Sequence, residues 1–106
     1  MKQVANISVD VDGLDLYYQI HGLTPSPTSP SIYETGVVRF LNLFAQFGIK
    51  ATFFVVAKDA LISTNRAILE RAIEEGHEIA SHSQTHPYDL VRQSPEAIER
   101  ELSQAE

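Results

Sequence analysis

Gly48-Ile49-Lys50-Ala51-Thr52-Phe53-Phe54-Val55-Val56-Ala57 (GIKATFFVVA, residues 48–57) contains a glycine, a short turn and then an apolar run with no alternating polar face. A strand with one wet face would alternate, so residues 51–57 read as a central parallel strand covered on both faces. Upstream, Val37, Phe40, Leu41, Phe44 and Phe47 recur at three- and four-residue spacing within residues 35–47. That spacing predicts a helix packed on one face, with Gly48 at its C-terminal stop. Downstream, Thr64-Asn65 offer caps for a helix reaching Glu75, with Ile68, Leu69, Ala72 and Ile73 on one side and Gly76 as its stop.

The outer segments extend the same alternation. Residues 4–11 carry β-branched Val4, Ile7, Val9 and Val11 and read as a buried strand that ends in acidic residues. Residues 13–32 contain Pro25, Pro27 and Pro30 and are expected to form a long loop. Glu78-Ile79-Ala80-Ser81 predicts a third strand, and Ser94-Pro95 pairs an N-cap with a first-turn proline for a third helix striped by Ile98, Leu102 and Ala105. The order is βαβαβα, an α/β chain in which parallel strands and right-handed crossovers are expected. Residues 1–106 are read as a single domain.

Composition narrows the functions. Of 106 residues, 43% are hydrophobic and 21% charged, which is ordinary globular usage, and the net charge of −6 leaves no broad basic surface for nucleic acid. No stretch is apolar enough to span a membrane. Met1-Lys2-Gln3 runs directly into a strand-like segment, with no signal-peptide core, so the cytoplasm is the expected compartment. With no cysteine, any metal must be held by histidine and carboxylate.

Two groups carry candidate chemistry. In Ser8-Val9-Asp10-Val11-Asp12-Gly13, residues two apart on a strand share a side, so Asp10 and Asp12 would face one cavity. Two neighbouring anions suit a bound cation, or one carboxyl with a raised pKa that handles protons. In His82-Ser83-Gln84-Thr85-His86-Pro87, two imidazoles four apart can meet at one ion. Either group alone also reads as solvated loop residues. Together, at the ends of neighbouring strands, they suit three ligands and an open position, with His82 and His86 as two of them and Asp12 able to supply the third. His77 is expected to stabilise the helix end beside Gly76, and His21 has no partner arrangement.

VDVDG after the first strand, KATFFVVA in the second and EEGHEIASHSQTHP around the third resemble the polysaccharide deacetylases, the NodB-homology proteins of carbohydrate esterase family 4. The resemblance covers nearly the whole chain. It implies the N-terminal part of a distorted (β/α) barrel catalytic domain. The family's usual first motif is TFDDG, a catalytic base followed by a metal ligand; here an extra residue separates the two carboxylates. The resemblance gives Asp10 the role of base and Asp12 that of ligand. His82 and His86 match the second motif, H-[ST]-x-x-H-P, in full, and Ser83 is expected to brace its loop.

The implied activity is metal-dependent hydrolysis of N-acetyl groups on an amino-sugar polysaccharide or glycoconjugate. Zn2+ is the expected ion, with Co2+, Ni2+ or Fe2+ as alternatives. Later family motifs, including the general acid, find no match after His86. Two other readings follow. One is a catalytically incomplete metal-binding or assembly fragment that pairs as a homo-oligomer through exposed barrel edges. The other is a haloacid-dehalogenase-type phosphatase, which a strand ending in DVDG also resembles.

Overall fold

The computed structural model describes residues 2–24 and 31–106, and Pro25, Pro27 and Pro30 lie outside them. Three parallel strands, β1 (Ser8–Val11), β2 (Thr52–Val55) and β3 (Glu78–Ser81), form one sheet in the order β1-β2-β3. The register pairs Val9 with Phe53 and Ile79, and Asp10 with Phe54 and Ala80. Laterally paired residues share a face, so Val9, Phe53 and Ile79 point to one side and Asp10, Phe54 and Ala80 to the other.

The first face is the core. A π turn (Ile32–Val37) leads into helix α2 (Val38–Phe47), and Gly48 caps that helix in the left-handed conformation at φ 66°. Helix α4 (Ser63–Glu74) packs alongside. Tyr33, Val37, Leu41 and Phe44 from the π turn and α2 meet Val11, Phe53 and Val55 from the sheet and Leu69 and Ala72 from α4. On the opposite face Phe54 is only half-buried and Asp10 is exposed, so β2 is central but fully covered on one face alone. The α/β class and the parallel sheet thus agree with the sequence pattern.

Several elements differ from the sequence reading. The first strand pairs only from Ser8, apart from a hydrogen bond from the Thr52 N–H to the Ile7 carbonyl (3.0 Å); Val4 is 87% exposed and, among the described residues, lacks a partner strand to use its β propensity. Within the expected loop, Leu14–Ile20 forms helix α1, which buries only Leu16. The end of the apolar run turns into a single helical turn, α3 (Ala57–Ala60). Helix α4 starts at Ser63 with no side-chain cap, and Asn65 instead donates from Nδ2 to the Asp59 carbonyl at 3.0 Å. The third helix, α5 (Pro95–Ser103), begins as expected, with Ser94 Oγ accepting the Ala97 N–H.

His77 also has a different task. It is 6% exposed, and its Nδ1 accepts the Ala51 N–H at 3.1 Å, fastening the turn before β3 to the start of β2. Burial, and after it the nearby Lys50 charge, pushes its pKa below the ordinary imidazole range. The folded protein therefore binds this proton less readily than the unfolded chain. Its contribution to stability is present above the unfolded value of about 6.5 and is lost as pH falls through the folded value. Urea titrations at pH 7 and pH 5 are expected to show a smaller loss on acidification for His77→Asn, which keeps an acceptor but does not titrate, than for the wild type. Equal losses would remove His77 from the account.

Candidate metal and catalytic site

The site forms where the three strands end. Asp12 follows β1 directly and His82 follows β3, whose ladder continues through the His82 N–H to the Val55 carbonyl at 2.9 Å. His82 Nε2 lies 3.2 Å and His86 Nε2 3.6 Å from the same Asp12 oxygen, Oδ1. One ligand atom from each of Asp12, His82 and His86 lies within 4.8 Å of the others. Ligands about 2.0–2.1 Å from a tetrahedral zinc stand about 3.3 Å apart, so both the spacing and the nitrogen-oxygen donor set fit such an ion. Asp10 is not in this cluster. It is exposed on the non-core face of β1, two residues from Asp12, and its carboxylate makes no hydrogen bond or ion pair among the described residues.

The loop carrying the histidines is strained and pinned. Ser83 and His86 have φ of 65° and 57°, the left-handed region that non-glycine residues seldom occupy. Ser83 Oγ accepts the His86 N–H at 3.0 Å, closing the turn between the two histidines. The first N–H groups of α3, which have no partner within their own helix, donate to the loop: Ala57 to the Ser83 carbonyl (3.0 Å) and Lys58 to the Gln84 carbonyl (2.9 Å). The loop after β3 is thereby fixed to the loop after β2. His86 Nδ1 is buried with no hydrogen-bond partner among the described residues, and its ring stands edge-on to Tyr88 at 4.9 Å.

Sequence reasoning passed over the supports under Asp12. Gly13 packs so closely that a Cβ there would lie 2.3 Å from Asp15 Oδ1 and 3.5 Å from Asp59 Oδ2. Any side chain would displace Asp15, whose carboxylate pairs with Lys58 Nζ at 3.0 Å. Asp59 is buried, and burial first and Asp15 second raise its pKa. Burial and then the Asp59 charge likewise raise the Tyr33 hydroxyl. The glycine of DVDG was the available signal; nothing in the sequence pattern pointed to Asp59.

A cavity of about 560 Å³ opens beside the triad, between α1 and the histidine loop, with Gln19, Ile20, Lys58, His86 and Tyr88 among its walls. That volume lies in the range of small-molecule pockets.

A family model described as polysaccharide deacetylase matches residues 28–106. The chain belongs to the polysaccharide deacetylase family. A chitooligosaccharide deacetylase of Rhizobium leguminosarum bv. trifolii is 36% identical over 75 residues, covering 71% of this chain and 33% of that protein. Peptidoglycan-N-acetylglucosamine deacetylase PgdA of Listeria monocytogenes serotype 1/2a (strain 10403S) is 34% identical over 62 residues, 58% of this chain and 13% of that protein. The crystal structure of the Xyl-CE4 domain of a multidomain xylanase from the hindgut metagenome of Trinervitermes trinervoides superposes with a TM-score of 0.63 at 26% identity, covering 92% of this chain and 37% of that one. The chain spans about a third of the chitooligosaccharide deacetylase it matches. Its DVDG segment precedes the residues that the family model covers.

Proposed function

We propose that this chain holds a divalent metal, zinc first, through Asp12, His82 and His86, and that the site serves hydrolysis of N-acetyl groups on an amino-sugar polymer or glycoconjugate. The observation that carries the reading is the meeting of one carboxylate oxygen and two imidazole nitrogens at the C-terminal ends of β1 and β3. In sheets of this kind, ligands bind beyond those ends. The three-stranded sheet is read as part of the family's distorted (β/α) barrel, with Asp10, Phe54 and Ala80 on the side that a closed barrel would enclose.

Amide hydrolysis forms a carbon–oxygen bond from water, breaks the carbon–nitrogen bond and leaves acetate and a free amine. A bound divalent ion supplies charge that stabilises the developing oxyanion and acidifies water. Asp10, with no cation or donor engaging its carboxylate among the described residues, is the base that removes the attacking water's proton. Tyr88 and Ile20 offer apolar surface and Gln19 and Lys58 polar groups to the sugar in the adjoining cavity. The pairing of Asp12 with both histidines gives the HSQTHP loop a part that a phosphatase reading leaves empty.

Elemental analysis of the purified chain is expected to find ~1 equivalent of metal in the wild type and none in the His82→Ala/His86→Ala double variant. Asp10→Asn should keep its metal while acetate release from an N-acetylated chitooligosaccharide drops by about 10²- to 10⁴-fold, the usual loss on removing a general base. Equal metal content in wild type and double variant would end the ligand assignment.

A further inference from the structure

Helix α5 lies outside the hydrophobic core, yet its last turn holds the loop between the two histidines. Glu101 Oε2 accepts the Thr85 N–H at 2.9 Å and its Oε1 accepts the Thr85 hydroxyl at 2.5 Å. The Glu101 backbone carbonyl, near the helix end where carbonyls lack helical partners, accepts the Gln84 N–H at 3.1 Å. Two of the three residues that separate His82 from His86 are thus tied to a single residue sixteen positions beyond Thr85.

Helix stability does not explain an acidic residue at this position. A carboxylate in a helix's last turn faces the negative end of the helix dipole, and Glu101 forms no ion pair among the described residues. Its hydrogen bonds go to the loop instead. The loop also needs an outside hold, because Ser83 and His86 both occupy the left-handed region and would relax toward common backbone conformations if released. Helix α3 grips the carbonyls of Ser83 and Gln84 from one side, and Glu101 grips the N–H groups of Gln84 and Thr85 from the other.

We propose that Glu101 is a positioning residue for the metal site: by clamping Gln84 and Thr85 it sets the separation at which His82 and His86 face Asp12. The proposal rests on the reading of those three residues as metal ligands. It places Glu101 outside the ligand shell and outside the chemistry, acting through the backbone of the loop.

The test is a cobalt titration of the full chain, followed by the visible absorption of the bound ion, which reports coordination geometry as well as affinity. Glu101→Ala is expected to weaken Co2+ binding about 10- to 100-fold, the range seen when support behind metal ligands is lost, and to alter the spectrum. Melting of the metal-free variant should stay close to wild type. Glu101→Gln, whose amide can still accept the Thr85 N–H and bond its hydroxyl, should restore most of the affinity. Binding by Glu101→Ala at wild-type strength and with an unchanged spectrum would overturn the proposal and leave the ligand assignment intact. Absence of Co2+ binding by the wild type would overturn both. Should Glu101→Ala not fold, Thr85→Val decides: it removes the hydroxyl contact alone, so weaker binding with unchanged metal-free melting supports the clamp, and wild-type binding overturns it.

Discussion

Asp12→Asn is expected to lower metal affinity by more than about 100-fold, the upper end of what loss of a supporting group alone produces. The substitution keeps the shape of the side chain and removes its charge. Asp12 Oδ1 is the one atom that both imidazoles face, at 3.2 and 3.6 Å, so its loss leaves two neutral nitrogen donors and no anion to balance a dication. The metal-free protein should barely notice. Asp12 has 44% of its side chain exposed, and ion pairs of such groups contribute about 0–1 kcal/mol to folding. The signature is therefore a large loss in a zinc or cobalt titration beside an unchanged melting curve without metal. If Asp12→Asn binds the ion as tightly as the wild type, the histidines hold it with some other residue, and Asp10, two positions away, becomes the first to examine.

Much of this arrangement was legible because strong local signals coincide with strand ends. Glu78–Ser81 is bounded by left-handed Gly76 and by the polar histidine loop, and the strand occupies the four residues read from the sequence. Ser94-Pro95 fixed the start of α5 for the same reason, a side-chain acceptor followed by a residue that needs no N–H partner. Asp12, His82 and His86 were recognisable as a group from their motifs and from the strand ends that carry them, since no periodicity brings residue 12 to residue 82. What escaped notice depends on distant partners. Leu14–Ile20 is seven residues with one buried side chain, too short for a helical period to register. The π turn at Ile32–Val37 has no composition of its own. Asn65 read as a cap, yet the fold buries it against the Asp59 carbonyl; His77 read as a helix-end charge, yet it is a neutral acceptor inside the core. Glu101 gave no signal in the sequence, because its partners lie in a loop sixteen residues earlier.

Phe53→Ala is expected to remove about 3–5 kcal/mol of folding free energy, the usual result of cutting a buried aromatic ring to a methyl group. Phe53 is 0% exposed at the middle of the central strand, with the Phe44 ring at 6.2 Å and the His77 ring edge-on at 5.4 Å. A domain of this size commonly has about 5–15 kcal/mol in all, so the variant should melt lower by roughly 4–8 °C for each kcal/mol lost, or fail to fold without a ligand. Urea unfolding should show a lower midpoint with little change in slope, since the surface exposed on unfolding is nearly the same. The site should feel the change as well. β2 pairs with both β1 and β3, so the central strand helps to set the distance between Asp12 and His82. Zinc should therefore raise the variant's melting temperature, because an ion that binds only the folded chain draws the equilibrium toward it. A loss below about 1 kcal/mol would mean that neighbouring side chains refill the space. The firmness of the site would then have to come from the hydrogen bonds that α3 and Glu101 make to the histidine loop rather than from the core beneath it.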